Sequence, residues 1–242
     1  MSDPGWHTDA YPELRPGPPW VMQEMIAAQP ALVEALLNSP PPGTSAAAEA
    51  IAAALEHNHP VIVCGCGTSE HAAHGIAALI SAAVDPQQSA LVQARPALSA
   101  ALNPAPGACL AVSHDGETRA TALALLAART AGAHTIAITC QRDAGIARAA
   151  ERVLLTPRHD DSWCHTLAYT SALAAGAALA GCLGPFTAQP AAARELLERA
   201  ISVTDPAPIA DRLADRRVVL CAGAGADHTT ARELPVQDRF EL

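Results

Sequence analysis

The chain has 242 residues, enough for one full domain and part of another, and half of them are hydrophobic although only 3% are aromatic. Its formal charge of −9 repels phosphate backbones and acidic lipid headgroups, which excludes nucleic acid and charged membrane surfaces as expected partners. Seven cysteines, an odd number, lie in apolar segments, and Cys64 with Cys66 forms C-x-C rather than the C-x-x-C of redox and zinc sites, so a reduced, cytoplasmic setting is expected.

The opening Ser2-Asp3-Pro4-Gly5 has neither the basic lead nor the apolar core of a secretory signal. Residues 1–19 are rich in proline and glycine and read as an irregular lead. Helical spacing of Met22, Met25, Ile26, Leu32, Leu36 and Leu37 predicts a helix over Trp20–Asn38, ended by Pro40-Pro41-Pro42-Gly43, and a second helix follows over Ser45–His57. The first strand, Val61–Cys64, feeds the loop Gly65-Cys66-Gly67-Thr68-Ser69 and a helix from Glu70 to Val84.

Further strands are expected at Ala90–Gln93, Ala108–Val112, His134–Thr139 and Arg152–Leu155. The third feeds Ser113-His114-Asp115-Gly116-Glu117-Thr118 and a helix through Thr121–Thr130. The whole chain is organised around that junction, because a helix N-terminus offers backbone donors and small hydroxyls to an anion such as phosphate. Apolar strands alternating with helices predict an α/β fold with a parallel sheet covered on both faces and ligands at the carboxyl ends of its strands.

Leu167 to Phe186 carries no charge and is long enough to span a bilayer, but its alanine, glycine and hydroxyl content, without flanking basic residues, predicts a buried helix. Helices near Ala191–Ala200 and Pro208–Ala214 come next. The segment Val218–His228 then aligns with Val61–His71, strand and glycine loop included, and reads as the opening of a second copy of the unit.

The loops Gly65–Ser69 and Ser113–Thr118, with Ser162-Trp163-Cys164-His165-Thr166-Leu167-Ala168-Tyr169-Thr170, resemble the three signature stretches of the sugar isomerase (SIS) domain family. Met25-Ile26-Ala27-Ala28-Gln29-Pro30 is similar to the approach helix of two-SIS proteins such as the isomerase half of glucosamine-6-phosphate synthase. The resemblance implies a three-layer αβα sandwich, flavodoxin-like, with five parallel strands. Its domains are a lead with helices over 1–50, the SIS domain over 51–190, and connecting helices with the incomplete start of a second SIS domain over 191–242.

The ligand so implied is a sugar phosphate, held by Cys66, Thr68, Ser69, Ser113, His114, Asp115 and Thr118, with Trp163 and His165 shaping the sugar pocket. The hydroxyls of Thr68, Ser69, Ser113 and Thr118 suit phosphate oxygens. Asp115 departs from the family's serine. A carboxylate beside a phosphate costs roughly 4 kcal/mol per charge pair at ~4 Å in an effective dielectric of ~20, which a protonated His114 would partly offset. Trp163, His165 and Leu167 also depart, towards a narrower pocket.

Aldose–ketose isomerisation needs a carboxylate and, for ring opening, a histidine. Aligning Glu233 with the family's catalytic stretch places Gln237 at a lysine position and Phe240 at the base, and no ring-opening histidine follows. Ser2 stands where glutamine hydrolysis needs a cysteine. Two functions therefore stand side by side. One is part of a two-SIS isomerase or deaminase for a hexose or amino-hexose 6-phosphate; the other is a non-catalytic sugar-phosphate module.

Glu117 reads as a helix-terminus acid rather than a base. His71 and His74 read as a helix surface or a satisfied core pair rather than metal ligands, and the irregular spacing of His159, Asp160, Asp161, Cys164 and His165 argues against a metal. A dinucleotide fingerprint fails at Glu70 and Gln93. No metal or cofactor is expected, and the partner expected besides the sugar phosphate is a second copy in a homodimer.

Overall fold

The computed structural model describes residues 20–162, 164–203 and 205–237. In chain order the elements are α1 (Val21–Asn38), α2 (Thr44–Glu56), β1 (Val61–Gly65), α3 (Thr68–Ala83), α4 (Pro86–Ser89), β2 (Val92–Pro96), α5 (Ala97–Leu102) and β3 (Gly107–Val112). They continue as α6 (Arg119–Thr130), β4 (Ala133–Thr139), α7 (Gly145–Ala149), β5 (Arg152–Leu155), α8 (Thr166–Gly181), α9 (Pro190–Val203), α10 (Ala207–Leu213) and α11 (Ala226–Gln237).

The five strands form one parallel sheet in the order β2-β1-β3-β4-β5. Alternation along each strand sorts its side chains onto two cores. Val61, Val63, Leu110, Ile136, Ile138 and Leu154 meet Ile51, Ile76, Ile80 and Leu179 on the side of α2, α3 and α8. Ile62, Cys64, Cys109 and Ala111 meet Ala124, Leu125 and Ile146 on the side of α6 and α7. Most strand residues on the first face are branched, whereas those on the second, apart from Ile62, are small. Helices α1 and α9 add a further layer outside α8 through Val33, Leu36, Ala174 and Leu197.

The charge-free run is explained by this layering. Leu167, Ala168, Ala172, Ala175 and Leu179 of α8 are buried between sheet and α1, and no helix among the described residues is long and apolar enough to cross a membrane.

Two expectations shift. Strand β2 begins at Val92 rather than Ala90, because the Asp85 side chain accepts the backbone N–H groups of Gln87 and Gln88 at 2.8 and 3.0 Å and turns Pro86–Ser89 into a short helix first. No strand forms at Val218–Leu220, whose side chains are 73%, 40% and 90% exposed. A strand without a neighbour leaves its backbone groups unpaired, so an extended segment there gains nothing.

The loop and helix of the repeat do recur, one residue further along than the aligned sequences suggest. The bonds Ser69 N–H to Cys66 O and Glu70 N–H to Gly67 O have counterparts in Asp227 N–H to Ala224 O and His228 N–H to Gly225 O. Gly67 and Gly225 share a left-handed φ of 57° and 58°. Gly65 thus corresponds to Gly223, and α11 to α3. Helix α11 lies against α3 through polar contacts: Arg232 reaches Glu70 and His74 at 2.9 Å each, and Glu233 meets His71 at 2.7 Å in a buried pair.

Candidate active site

The strand order places the site. From β1 the chain crosses over α3 to β2 on one side, and later enters β3 on the other, so the loops after β1 and β3 diverge at a switch point of the sheet. Between them lies a cleft of about 290 Å³. Cys66, Thr68, Ser69, Ser113, His114, Asp115, Thr118 and His165 all line it. Trp163 lies outside the described residues.

Three helices start at this cleft: α3 at Thr68, α6 at Arg119 and α8 at Thr166. The first turn of each directs backbone donors and positive dipole potential into the same space, an arrangement that favours an anion. Ser113 Oγ and Thr118 Oγ1 are 3.2 Å apart across the β3–α6 loop. Gly116 gives that loop its turn: its φ is +73°, and a Cβ there would come within 2.3 Å of Ala144 Cβ.

The expected compensation of Asp115 by His114 is corrected by the geometry. Burial pushes the His114 pKa down to about 4, with Asp115 opposing the shift, so the ring is neutral at pH 7. Its Nε2 accepts the Asp160 N–H at 2.8 Å. The partner of Asp115 is His159 instead, with Nε2 2.9 Å from Asp115 Oδ1 and Nδ1 3.2 Å from Asp161 Oδ1. Glu117 accepts the Gly145 N–H at 3.0 Å and so sits at the start of α7 rather than on α6. His71 and His74 are engaged by Glu233 and Arg232.

Asp160 organises the third side of the cleft. It is 1% exposed, and its carboxylate accepts Ser162 N–H and O–H at 2.9 and 2.6 Å through Oδ1 and the Ala168 N–H at 2.9 Å through Oδ2. The last bond caps the first turn of α8 and fixes the segment that carries His165. That residue adopts a left-handed backbone, φ 49° and ψ 36°, which a side chain tolerates only when its surroundings hold it.

Two polar atoms at the cleft have no hydrogen-bond partner among the described residues, Thr156 Oγ1 and His165 Nδ1, although both are buried. Buried donors and acceptors are seldom left unpaired, and these two suit a hydroxylated ligand. Tyr169, another lining residue, has its phenol pushed up to about 12 by burial and is a neutral donor. Thr156 and Tyr169 escape residue-type reasoning. A sequence signal for Thr156 did exist, since it directly follows the carboxyl end of β5.

The sequence profile of the SIS domain matches residues 54–181, more than half of the chain. The chain belongs to the SIS domain family. Among curated proteins no sequence matches it. Solved structures share its fold at low identity. Tagatose-6-phosphate ketose/aldose isomerase from Escherichia coli is 20% identical with a TM-score of 0.63, covering 89% of this chain and 62% of its own. The C-terminal domain of glucosamine-fructose-6-phosphate aminotransferase from Francisella tularensis is 17% identical with a TM-score of 0.66, covering 91% and 66%. An Escherichia coli CFT073 protein, c3406, solved as a complex with a ligand, is 17% identical with a TM-score of 0.57, covering 74% and 95%. The chain thus spans less than two thirds of the first two of these structures' length.

Proposed function

We propose that the cleft binds the phosphate ester of a phosphosugar, within a two-SIS aldose–ketose isomerase or deaminase acting on a hexose or amino-hexose 6-phosphate. The observation that carries this reading is the ring of hydroxyls from Thr68, Ser69, Ser113 and Thr118 at the N-termini of α3 and α6. Phosphate oxygens accept from those hydroxyls and from the first-turn N–H groups. Thr156 and His165 then face the sugar, which supplies the hydroxyls that pair them. The phosphosugars in the names of the similar structures fit the same chemistry.

A second reading, a binding module without turnover, is favoured by the lining itself. Among the described residues Asp115 is the only carboxylate there, and His159 already holds it, so no free carboxylate faces a sugar C1 or C2.

Two measurements test the readings. Fructose 6-phosphate and glucosamine 6-phosphate are expected to raise the melting temperature while the free hexoses do not, because a native-state ligand stabilises by mass action. Equal melts across the panel would overturn phosphosugar binding. In deuterated water, exchange of the sugar C2 proton followed by NMR marks the isomerase, and binding without exchange marks the module. In protein freed of divalent metals, Asp115→Asn is expected to tighten phosphate-ester binding about fivefold, the screened value for one exposed charge near a phosphate. An unchanged Kd would mean that the carboxylate does not face the phosphate.

A further inference from the structure

The loops after β3, β4 and β5 converge beside the cleft, and they bring together a set of side chains that no spacing in the sequence announces. His114 and Asp115 follow β3, Cys140 follows β4, and His159 lies beyond β5. Their donor atoms all lie within 4.8 Å of one another.

We propose that His114, Asp115, Cys140 and His159 form a tetrahedral divalent-metal site at the mouth of the cleft, one whose donor set suits zinc. Tetrahedral zinc with nitrogen, oxygen and thiolate ligands separates neighbouring donors by about 3.3–3.8 Å, as its bond lengths of about 2.0–2.3 Å require. Cys140 Sγ and His114 Nε2 are 3.6 Å apart, already at that spacing. His159 Nε2 and Asp115 Oδ1, at 2.9 Å, share a proton that a metal ion replaces.

A second, independent feature belongs to such sites. Asp161 Oδ1 lies 3.2 Å from His159 Nδ1, so a carboxylate fixes the ring with its other nitrogen aimed at the cluster. His114 Nε2 exchanges the Asp160 N–H for the ion. Binding releases the Cys140 thiol proton to solvent, while the single ring proton of neutral His159 resides on Nδ1, where Asp161 accepts it, and no oxidation or reduction takes place.

The site also accounts for Asp115 in an anion cleft. Alone, its carboxylate opposes a phosphate. Bound with the Cys140 thiolate to a divalent cation, it belongs to a neutral cluster, and the repulsion is removed.

The test uses the whole chain, stripped with a chelator and titrated with cobalt(II) alone. One ion per chain is expected, with the strong visible absorption of tetrahedral cobalt and a thiolate-to-cobalt charge-transfer band, both abolished by equimolar zinc. Cys140→Ser should lose the charge-transfer band, whereas Cys182→Ser, at an exposed position, should keep it. Asp161→Asn should weaken binding by about tenfold to a hundredfold. A weak octahedral spectrum in the wild type, or a charge-transfer band retained in Cys140→Ser, would overturn the site. The wild-type spectrum decides without any variant, so a misfolded substitution leaves the test standing. The readout is the metal alone and is independent of whether the cleft takes a phosphosugar. If both hold, zinc loading cancels or reverses the Asp115→Asn gain in phosphate-ester affinity.

Discussion

Asp160→Ala is expected to destabilise the protein by about 3 kcal/mol or more, measured as a fall in the urea midpoint with an unchanged slope. The carboxylate accepts three hydrogen bonds while 1% exposed, and two of them come from backbone N–H groups that cannot turn elsewhere. Truncation leaves the Ser162 and Ala168 N–H groups buried without an acceptor, at about 1–3 kcal/mol for each such group. The isosteric Asp160→Asn should recover only part of the loss, since an amide puts an N–H where Oδ1 or Oδ2 now accepts. The loss should reach the ligand as well. The same carboxylate positions His165 and the first turn of α8, so a phosphosugar-dependent melt shift should shrink in both variants. An unchanged urea midpoint for Asp160→Ala would contradict this account of the segment between β5 and α8.

Gly65→Ala is expected to cost about 1–3 kcal/mol, the usual range for overpacking, and to remove phosphosugar binding. The added Cβ would lie 2.4 Å from Ser69 O, 2.5 Å from Ser69 C and 2.8 Å from Glu70 N, all backbone atoms of the first turn of α3. A flexible side chain could rotate away from such a contact, but a helix turn has to move as a unit and carries the Thr68 and Ser69 hydroxyls with it. Gly132→Ala separates this effect from general strain. Its φ of +85° makes a side chain unfavourable by roughly 1 kcal/mol, but nothing lies within 4 Å and the position is exposed between α6 and the amino end of β4, whereas the cleft lies at the carboxyl ends of the strands. It should therefore lower stability while leaving the ligand-dependent melt shift intact. If Gly65→Ala binds as the wild type does, the loop is more yielding than its packing indicates.

Local pattern carried much of the fold because the signals were local. Apolar runs of strand length, helical spacing in α1 and the hydroxyl loops each report on a few consecutive residues, and the strands of the sheet lie within two residues of their expected starts. The exceptions have particular causes. Asp85 capped a short helix that delayed β2, and Val218–Leu220 has no neighbouring strand among the described residues. The repeat itself was legible, but its register was not. Matching side chains pointed one residue short of Gly223, which closely approaches the next turn, and Gly225, whose φ is left-handed; together these two define the loop.

By itself the sequence determined the α/β class, the two polar loops at strand ends and the anion character of the residues there, because side-chain chemistry and hydrophobic period are properties of short stretches. The tertiary structure alone decided how those loops meet. Strand order sets which loops share a switch point, and a parallel sheet brings together residues far apart in the chain. That is how His159 came to hold Asp115, how Cys140 joined His114, and how burial made His114 neutral. Partner choice and desolvation depend on which atoms surround a group in space, and the spacing of residues along a chain does not contain that information.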